Sequence, residues 1–127
     1  MAGVLIDTDI LIDYLRDHEE AAGYLERLKD PRIISSVSVG ELYSGVRDGK
    51  EAVNLEIFLN CFRIIPLDFA IAKSGGLFCR DFRKSHGVGL ADAFIAATAE
   101  IHHLEFATLN QKHFPMLRGV IVPYKKN

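Results

Sequence analysis

The chain has 127 residues, of which 49% are apolar and 25% are charged, and this fits one globular domain with a single hydrophobic core. Its formal net charge of −2 argues against a protein that holds nucleic acid by broad electrostatic attraction, but not against a small nuclease with an acidic site. No apolar run approaches the roughly 20 residues that span a membrane, and the N-terminus lacks the features of a signal peptide, so we expect a cytoplasmic protein.

Short apolar runs alternate along the chain with longer segments of helical periodicity. The pattern predicts strands over 3–7, 32–35, 63–66, 106–109 and 120–122, and helices over 8–17, 18–29, 38–49, 50–62, 68–85 and 91–103. Strands that alternate with helices pair in parallel, so this order predicts an α/β protein whose parallel sheet is covered by helices on both faces. Gly75 and Gly76 lie inside the longest predicted helix, where we expect them to allow close packing.

Acidic residues lie near the starts of three predicted helices: Asp7, Glu41 and Asp92. Asp7 and Glu41 follow neighbouring strands, whose carboxyl ends meet at one edge of a parallel sheet. Carboxylates that converge repel one another unless a proton or cation lies between them, and Mg²⁺ prefers such oxygen ligands. Each residue also has a purely structural explanation: an N-cap for Asp7, a capping box from Ser38 to Glu41, and the helix dipole for Asp92. Spacing alone does not bring Asp92 to the other two.

Four segments resemble, in order, the sequence motifs of PIN-domain ribonucleases, and in particular of the VapC-type toxins of prokaryotic toxin–antitoxin pairs. They are DTDILID at 7–13, SSVSVGEL at 35–42, GLADAFIAATA at 89–99 and ATLNQKHF at 107–114. Together they span nearly the whole chain, and the third is the most specific.

The resemblance implies a three-layer α/β/α sandwich in which residues 1–127 form a single PIN domain. It assigns Asp7, Glu41 and Asp92 as the acidic cluster that binds Mg²⁺ or Mn²⁺, with Asn110 as a fourth site residue that adds no charge. The implied activity is endoribonuclease hydrolysis of RNA through a metal-activated water. The implied partners are a VapB-type antitoxin and a second copy of the chain.

Residues beside this cluster have secondary roles. Thr8 is a hydrogen-bonding helper near the metal or an ordinary helix-start residue, and Asp9 either joins the metal through water or caps the first helix. Asp13 is expected to be solvated or to face a partner, and a surface or packing role is expected for His113 and the other histidines. Candidate phosphate contacts are Arg80, Arg83, Lys84, His86 and Lys112. The apolar residues Ile10, Leu11, Tyr14 and Leu15 belong either to the core or to a groove for the antitoxin.

Two other functions fit parts of the same sequence. A haloacid-dehalogenase-like phosphatase would use Asp7 as its nucleophile and Asp9 as acid and base, but the later acidic pair of that family is missing and the chain is short for it. A PIN-like fold that only binds is the second alternative, and the intact set of acidic residues argues against it.

Overall fold

The computed structural model describes residues 3–126. Its sheet has four strands, β1 (Val4–Ile6), β2 (Arg32–Ser35), β3 (Arg63–Ile65) and β4 (Glu105–Ala107), in the order β3-β2-β1-β4. Every neighbouring pair is parallel, which confirms the predicted sheet. The helices are α1 (Thr8–Leu15), α2 (Glu19–Arg27), α3 (Ser36–Ser44), α4 (Lys50–Leu59), α5 (Phe69–His86) and α6 (Leu90–Ile101), followed by a short 3₁₀ turn at Gln111–His113.

Alternate residues of each central strand enter two separate hydrophobic cores. Val4 and Ile6 of β1 pack into one cluster with α1, α2 and α4, whereas Leu5 packs into the other with α5 and α6. On β2, Ile34 and Ile33 divide in the same way. Successive strand side chains point to opposite faces, so the sheet is the middle layer of an α/β/α sandwich, as predicted. None of the helices within residues 3–126 has the length and apolarity needed to cross a bilayer.

The predicted fifth strand at 120–122 is reduced to a single parallel bridge between Ala107 and Ile121. Two backbone hydrogen bonds hold it: Thr108 N donates to the Ile121 carbonyl at 2.9 Å, and Ile121 N donates to the Phe106 carbonyl at 2.7 Å. Gly119, at φ +65°, precedes the segment, and Pro123 follows it. Proline has no N–H to donate, so the ladder does not continue past the bridge.

The helix that carries Glu41 begins earlier than predicted, and its capping differs. Ser35 is the N-cap, and its hydroxyl accepts from Val37 N at 3.0 Å. Ser38 therefore lies inside α3 and is completely buried, so the predicted capping box from Ser38 to Glu41 is wrong. Both side chains are instead available for contacts with α1.

A glycine lets α5 and α6 approach closely. A Cβ atom on Gly75 would lie 2.5 Å from Cδ1 of Phe94 and 3.1 Å from the Ala93 carbonyl oxygen. The same atom on Gly76 would meet nothing within 4 Å. The expected close packing thus holds for Gly75 alone, and it fixes the first turn of α6, which contains Asp92.

Candidate active site

Asp7 lies at the carboxyl edge of the sheet, and both of its carboxylate oxygens are fixed. Oδ1 accepts a hydrogen bond from Thr8 N at 2.8 Å, which makes Asp7 the N-cap of α1. Oδ2 accepts from Thr108 Oγ1 at 2.7 Å, and Thr108 follows β4, the neighbour of β1. Only 6% of Asp7 is exposed. Its capping role is therefore confirmed, and it places the carboxylate at the strand edge.

Burial raises the pKa of Asp7 from 3.8 to about 8. The negative charges of Asp9 and Asp92 act in the same direction, while the hydrogen bonds from Thr108 and Thr8 oppose the shift. The spacing of residues in the sequence did not place Asp92 near Asp7. In the structure its charge is near enough to raise the pKa of Asp7. Such a group of carboxylates favours either a bound proton or a bound cation.

The extra carboxylate, Asp9, connects α1 to the segment after β4. Its Oδ2 accepts from Leu109 N at 3.0 Å, whereas its Oδ1 is buried without a hydrogen-bond partner. Burial raises the pKa of Asp9, and the hydrogen bond from Leu109 N opposes that rise. The helix cap is Asp7 rather than Asp9, so the capping alternative for Asp9 is wrong. A buried carboxylate oxygen without a partner is costly unless a water or an ion satisfies it.

A chain of hydroxyl groups joins Glu41 to the start of α1. Thr8 Oγ1 lies 2.7 Å from Glu41 Oε1 and 2.8 Å from Ser38 Oγ. An ionised carboxylate only accepts, so Thr8 donates to Glu41 and Ser38 donates to Thr8. Thr8 and Ser38 are buried, while Glu41 is exposed. This contact places Glu41 beside the residue that follows Asp7, as the shared sheet edge predicts.

Asp92 and Asn110 are joined through a histidine. Oδ2 of Asp92 lies 3.2 Å from Nδ1 of His113, which in turn lies 2.9 Å from Nδ2 of Asn110. The Asn110 backbone N donates to Thr108 Oγ1 at 3.0 Å, which ties this segment to Asp7 as well. His113, expected to have a surface or packing role, therefore contacts an acidic residue of the candidate site while its side chain stays 39% exposed.

The expected phosphate contacts divide into two groups. Arg80 pairs with Asp81 at 2.8 Å, and Arg83 Nη2 donates to Cys79 Sγ at 3.4 Å. Lys112 instead lines a cleft of about 530 Å³ beside Asp92. The exposed Lys84 and the two arginines do not line that cleft.

Some residues of this region were not singled out by the sequence. Thr108 was not identified, and Ser38 was named only as part of a capping box; the available signal was that both are hydroxyl residues within the quoted motifs, and the structure shows that both are buried. Asp13 is buried rather than solvated: it accepts from Tyr124 Oη and Lys126 Nζ, each at 2.8 Å. Burial acts to raise the pKa of Asp13, but these two hydrogen bonds together with the positive charge of Lys126 lower it overall. The expectation of a solvated Asp13 is wrong, because the segment after Pro123 covers it.

The acidic residues do not form a complete metal cage. Within residues 3–126, no three His, Cys, Asp or Glu side chains stand close enough together to hold a metal ion on their own. Mg²⁺ is usually held by one or two carboxylates with several waters and the substrate phosphate, rather than by an all-protein cage. The all-oxygen donors and the unpartnered Asp9 Oδ1 fit such a water-rich site.

The parallel sandwich and the carboxylates at its carboxyl edge define an α/β protein with an acidic site, and comparison with known proteins gives its family. A family model described as "PIN domain" matches residues 4–117, so the chain belongs to the PIN-domain family. Ribonuclease VapC10 of Mycobacterium tuberculosis is 40% identical over 124 residues, covering 95% of this chain and 92% of the relative. Ribonuclease VapC19 of the same organism is 38% identical, covering 94% and 98%.

Solved structures agree with this assignment. A chain of a toxin–antitoxin complex from Klebsiella pneumoniae superimposes with a TM-score of 0.83 at 32% identity, covering 97% of this chain and 99% of that one.

Proposed function

We propose that this protein is an endoribonuclease that depends on Mg²⁺ or Mn²⁺ and acts as the toxin of a toxin–antitoxin pair. The observation that carries the proposal is the burial of Asp7 at the sheet edge, where the charges of Asp9 and Asp92 raise its pKa further. Near neutral pH, that arrangement is stabilised by a bound proton or by a bound cation such as Mg²⁺. Relatives of nearly full length bear the name ribonuclease, and PIN-domain ribonucleases are generally metal-dependent.

Asp7, Asp92 and Glu41 are the residues that would hold the metal, with Asp9 contributing through water. A bound divalent cation would supply a water of lowered pKa and would neutralise charge on the scissile phosphate. Thr108 holds the Asp7 carboxylate from one side, and Thr8 orients Glu41. These two hydroxyls therefore pre-arrange the acidic groups before RNA arrives.

Asn110 takes a supporting part in this scheme. It carries no charge, and its Nδ2 lies against the same ring nitrogen of His113 that faces Asp92, so it borders the acidic group without joining it.

The phosphatase alternative has weaker support. The later acidic pair that accompanies the nucleophilic aspartate of that family is missing from this sequence. Membership of the PIN family favours cleavage of RNA. The acidic set also favours an enzyme over a module that only binds.

The decisive experiment measures RNA cleavage by the purified protein with Mg²⁺ or Mn²⁺, with EDTA, and with the variant Asp7→Asn. We expect cutting that requires the metal and is lost in the variant, while Asp81→Asn, an exposed control, cuts normally. Hydrolysis of p-nitrophenyl phosphate is measured in parallel. Phosphate release that depends on Asp7, without RNA cleavage, would replace this proposal with the phosphatase.

We further propose a VapB-type antitoxin as the partner, with a groove between α1, α3 and α4 as its docking site. The groove has a volume of about 500 Å³, and its lining combines apolar side chains, among them Ile12 and Leu15, with the carboxylate of Glu41. A segment with apolar anchors and a basic side chain near Glu41 would fit this surface and obstruct the site. The sequence left open whether Ile10, Leu11, Tyr14 and Leu15 belong to the core or to such a groove. Ile10 and Leu11 are fully buried in the core, and Tyr14 stacks on Phe58. Leu15 is the one of the four that lines the groove.

The antitoxin proposal is tested with Leu15→Arg and with Leu77→Arg, a similarly exposed leucine on α5. Each variant is co-expressed with a candidate VapB-type antitoxin. We expect Leu15→Arg to lose co-purification while it still cleaves RNA, and Leu77→Arg to keep both. Equal capture by the two variants would exclude the groove.

A homodimer is proposed from an exposed apolar strip beside the edge strand β3. Ile64 and Leu67 are each 41% exposed, and Phe69 is 82% exposed, which is unusual for a phenylalanine with no partner surface. A second copy related by a two-fold axis would cover the same strip on both chains. Light scattering should show that Phe69→Lys halves the mass of the particle in solution; an unchanged mass would reject this interface.

We also propose that residues 1–127 act as one PIN domain, and that this domain acts in the cytoplasm, where its RNA substrate is found.

A further inference from the structure

A cleft of about 530 Å³ opens beside Asp92, between the end of α5 and the 3₁₀ turn. It is lined by Ser85, His86, Gln111, Lys112, His113 and Pro115. This volume lies within the range of sites that hold small molecules. None of the six lining residues is acidic, while His113 connects the cleft directly to the Asp92 carboxylate at 3.2 Å. The cleft is therefore a neutral-to-basic extension of an acidic site.

The two histidine rings in this cleft are fixed before any ligand binds. Nδ1 of His86 lies 2.7 Å from Ser85 Oγ, and its ring meets Phe82 edge-on at a centroid distance of 5.8 Å. Nδ1 of His113 either donates its N–H to Asp92 Oδ2 or, in the other tautomer, accepts from Asn110 Nδ2. Each ring keeps its Nε2 atom for other contacts, and a ring already held at Nδ1 loses less entropy when a ligand stacks on it.

The positive charge and the imidazole rings that line the cleft are complementary to one class of ligand. Lys112 is exposed and positively charged, which suits a phosphate, and imidazole rings stack on the unpaired bases of single-stranded RNA. A base and its phosphate are joined in every nucleotide, so one ligand satisfies both features. Because His113 lines the cleft and its Nδ1 lies 3.2 Å from Oδ2 of Asp92, that nucleotide would adjoin the acidic site where the bond is cut.

We propose that this cleft binds the nucleotide next to the scissile phosphate, with Lys112 on its phosphate and the rings of His86 and His113 against its base. The inference rests on the proposed ribonuclease function and adds to it the residues that select the base beside the cut. His86 and Lys112 contact no acidic residue of the site, so replacing them tests the cleft without disturbing the carboxylates.

Binding is measured in the inactive Asp7→Asn protein by fluorescence anisotropy, with a short fluorescein-labelled single-stranded RNA of random sequence, over a series of KCl concentrations. Adding Lys112→Ala should weaken binding and make the slope of log K against log salt shallower by about 0.7, the value for one lost phosphate contact on a single strand. Adding His86→Ala should weaken binding about fivefold or more with the slope unchanged, as expected for a lost stacking contact.

Matched controls are Lys29→Ala, an exposed lysine near the opposite edge of the sheet, and His102→Ala, at the far end of α6 from Asp92. Both should bind as the parent does. With Asp7 intact, sequencing the cut ends of a random RNA pool should show that His86→Ala changes the preferred base beside the cut.

The outcomes separate the two proposals. If the wild type cuts RNA but Lys112→Ala and His86→Ala bind and select bases like their controls, the cleft assignment is wrong and the ribonuclease stands. If the wild type neither cuts nor binds RNA, the ribonuclease proposal falls and the cleft assignment falls with it.

Discussion

Replacing Gly75 with alanine tests whether the close contact between α5 and α6 places Asp92 in the active site. The added Cβ would lie 2.5 Å from Cδ1 of Phe94 and 3.1 Å from the Ala93 carbonyl oxygen, so the Phe94 ring and the start of α6 must shift away from α5. Forcing extra volume into a packed interface costs about 1–3 kcal/mol. Gly76→Ala is the matched control, because its Cβ meets nothing within 4 Å in the same helix.

Both substitutions replace a helical glycine with alanine, and this replacement by itself stabilises a helix by about 0.5–1 kcal/mol. That gain cancels when the two variants are compared, so Gly75→Ala should be less stable than Gly76→Ala by about 1–3 kcal/mol. In a domain of this size the difference corresponds to about 3–15 °C in Tm. Chemical denaturation and thermal melting followed by circular dichroism measure both quantities.

RNA cleavage by the two variants distinguishes the effect of the helix contact on stability from its effect on the position of Asp92. Asp92 lies one residue before Ala93, so displacement of α6 should reduce RNA cleavage by Gly75→Ala well below that of Gly76→Ala under conditions where both are folded. Equal stability of the two variants would refute the packing argument. A destabilised Gly75→Ala that cleaves RNA at the full rate would show that the contact supports the fold without positioning Asp92.

Three further predictions concern the residues around Asp7. Asn110→Ala should lower kcat/KM for RNA cleavage less than Asp7→Asn does, since Asn110 carries no charge and lies outside the acidic group; the reverse order would contradict its supporting role. The pKa of Asp7 is raised from 3.8 to about 8 in the folded chain, so its ionisation opposes folding and the free energy of unfolding should fall as the pH rises between those values. In EDTA, the Tm of Asp7→Asn should therefore increase relative to the Tm of the wild type as the pH rises from 4 to 8. Parallel curves of Tm against pH would show that the pKa of Asp7 is not raised. Tyr124→Phe removes a hydrogen bond to the buried Asp13 carboxylate and should lower the free energy of unfolding, measured by urea denaturation, by about 1.5–3 kcal/mol. The control Tyr43→Phe changes an exposed residue and should leave that free energy nearly unchanged. Equal values for the two variants would mean that the segment after Pro123 does not stabilise α1.

The sequence by itself determined the layers of the fold and the position of Asp7. Apolar periodicity is a local property, and the alternation of strands with helices leaves a parallel sheet covered on both faces as the natural arrangement. The same rule brings Asp7 and Glu41 to one sheet edge, because both follow strands that run in the same direction. The motifs added Asp92 by resemblance, without a geometric reason.

Only the tertiary structure decided what surrounds these residues. The hydrogen bond between Thr108 and Asp7 joins positions 101 residues apart, and the contact between Thr8 and Glu41 joins positions 33 apart. Local periodicity carries no information about such pairs, since they form only when neighbouring strands and helices have packed. Burial is likewise a property of the assembled chain: it leaves Asp13 under the C-terminal segment and raises the pKa of Asp7, although the sequence shows only an aspartate in each position.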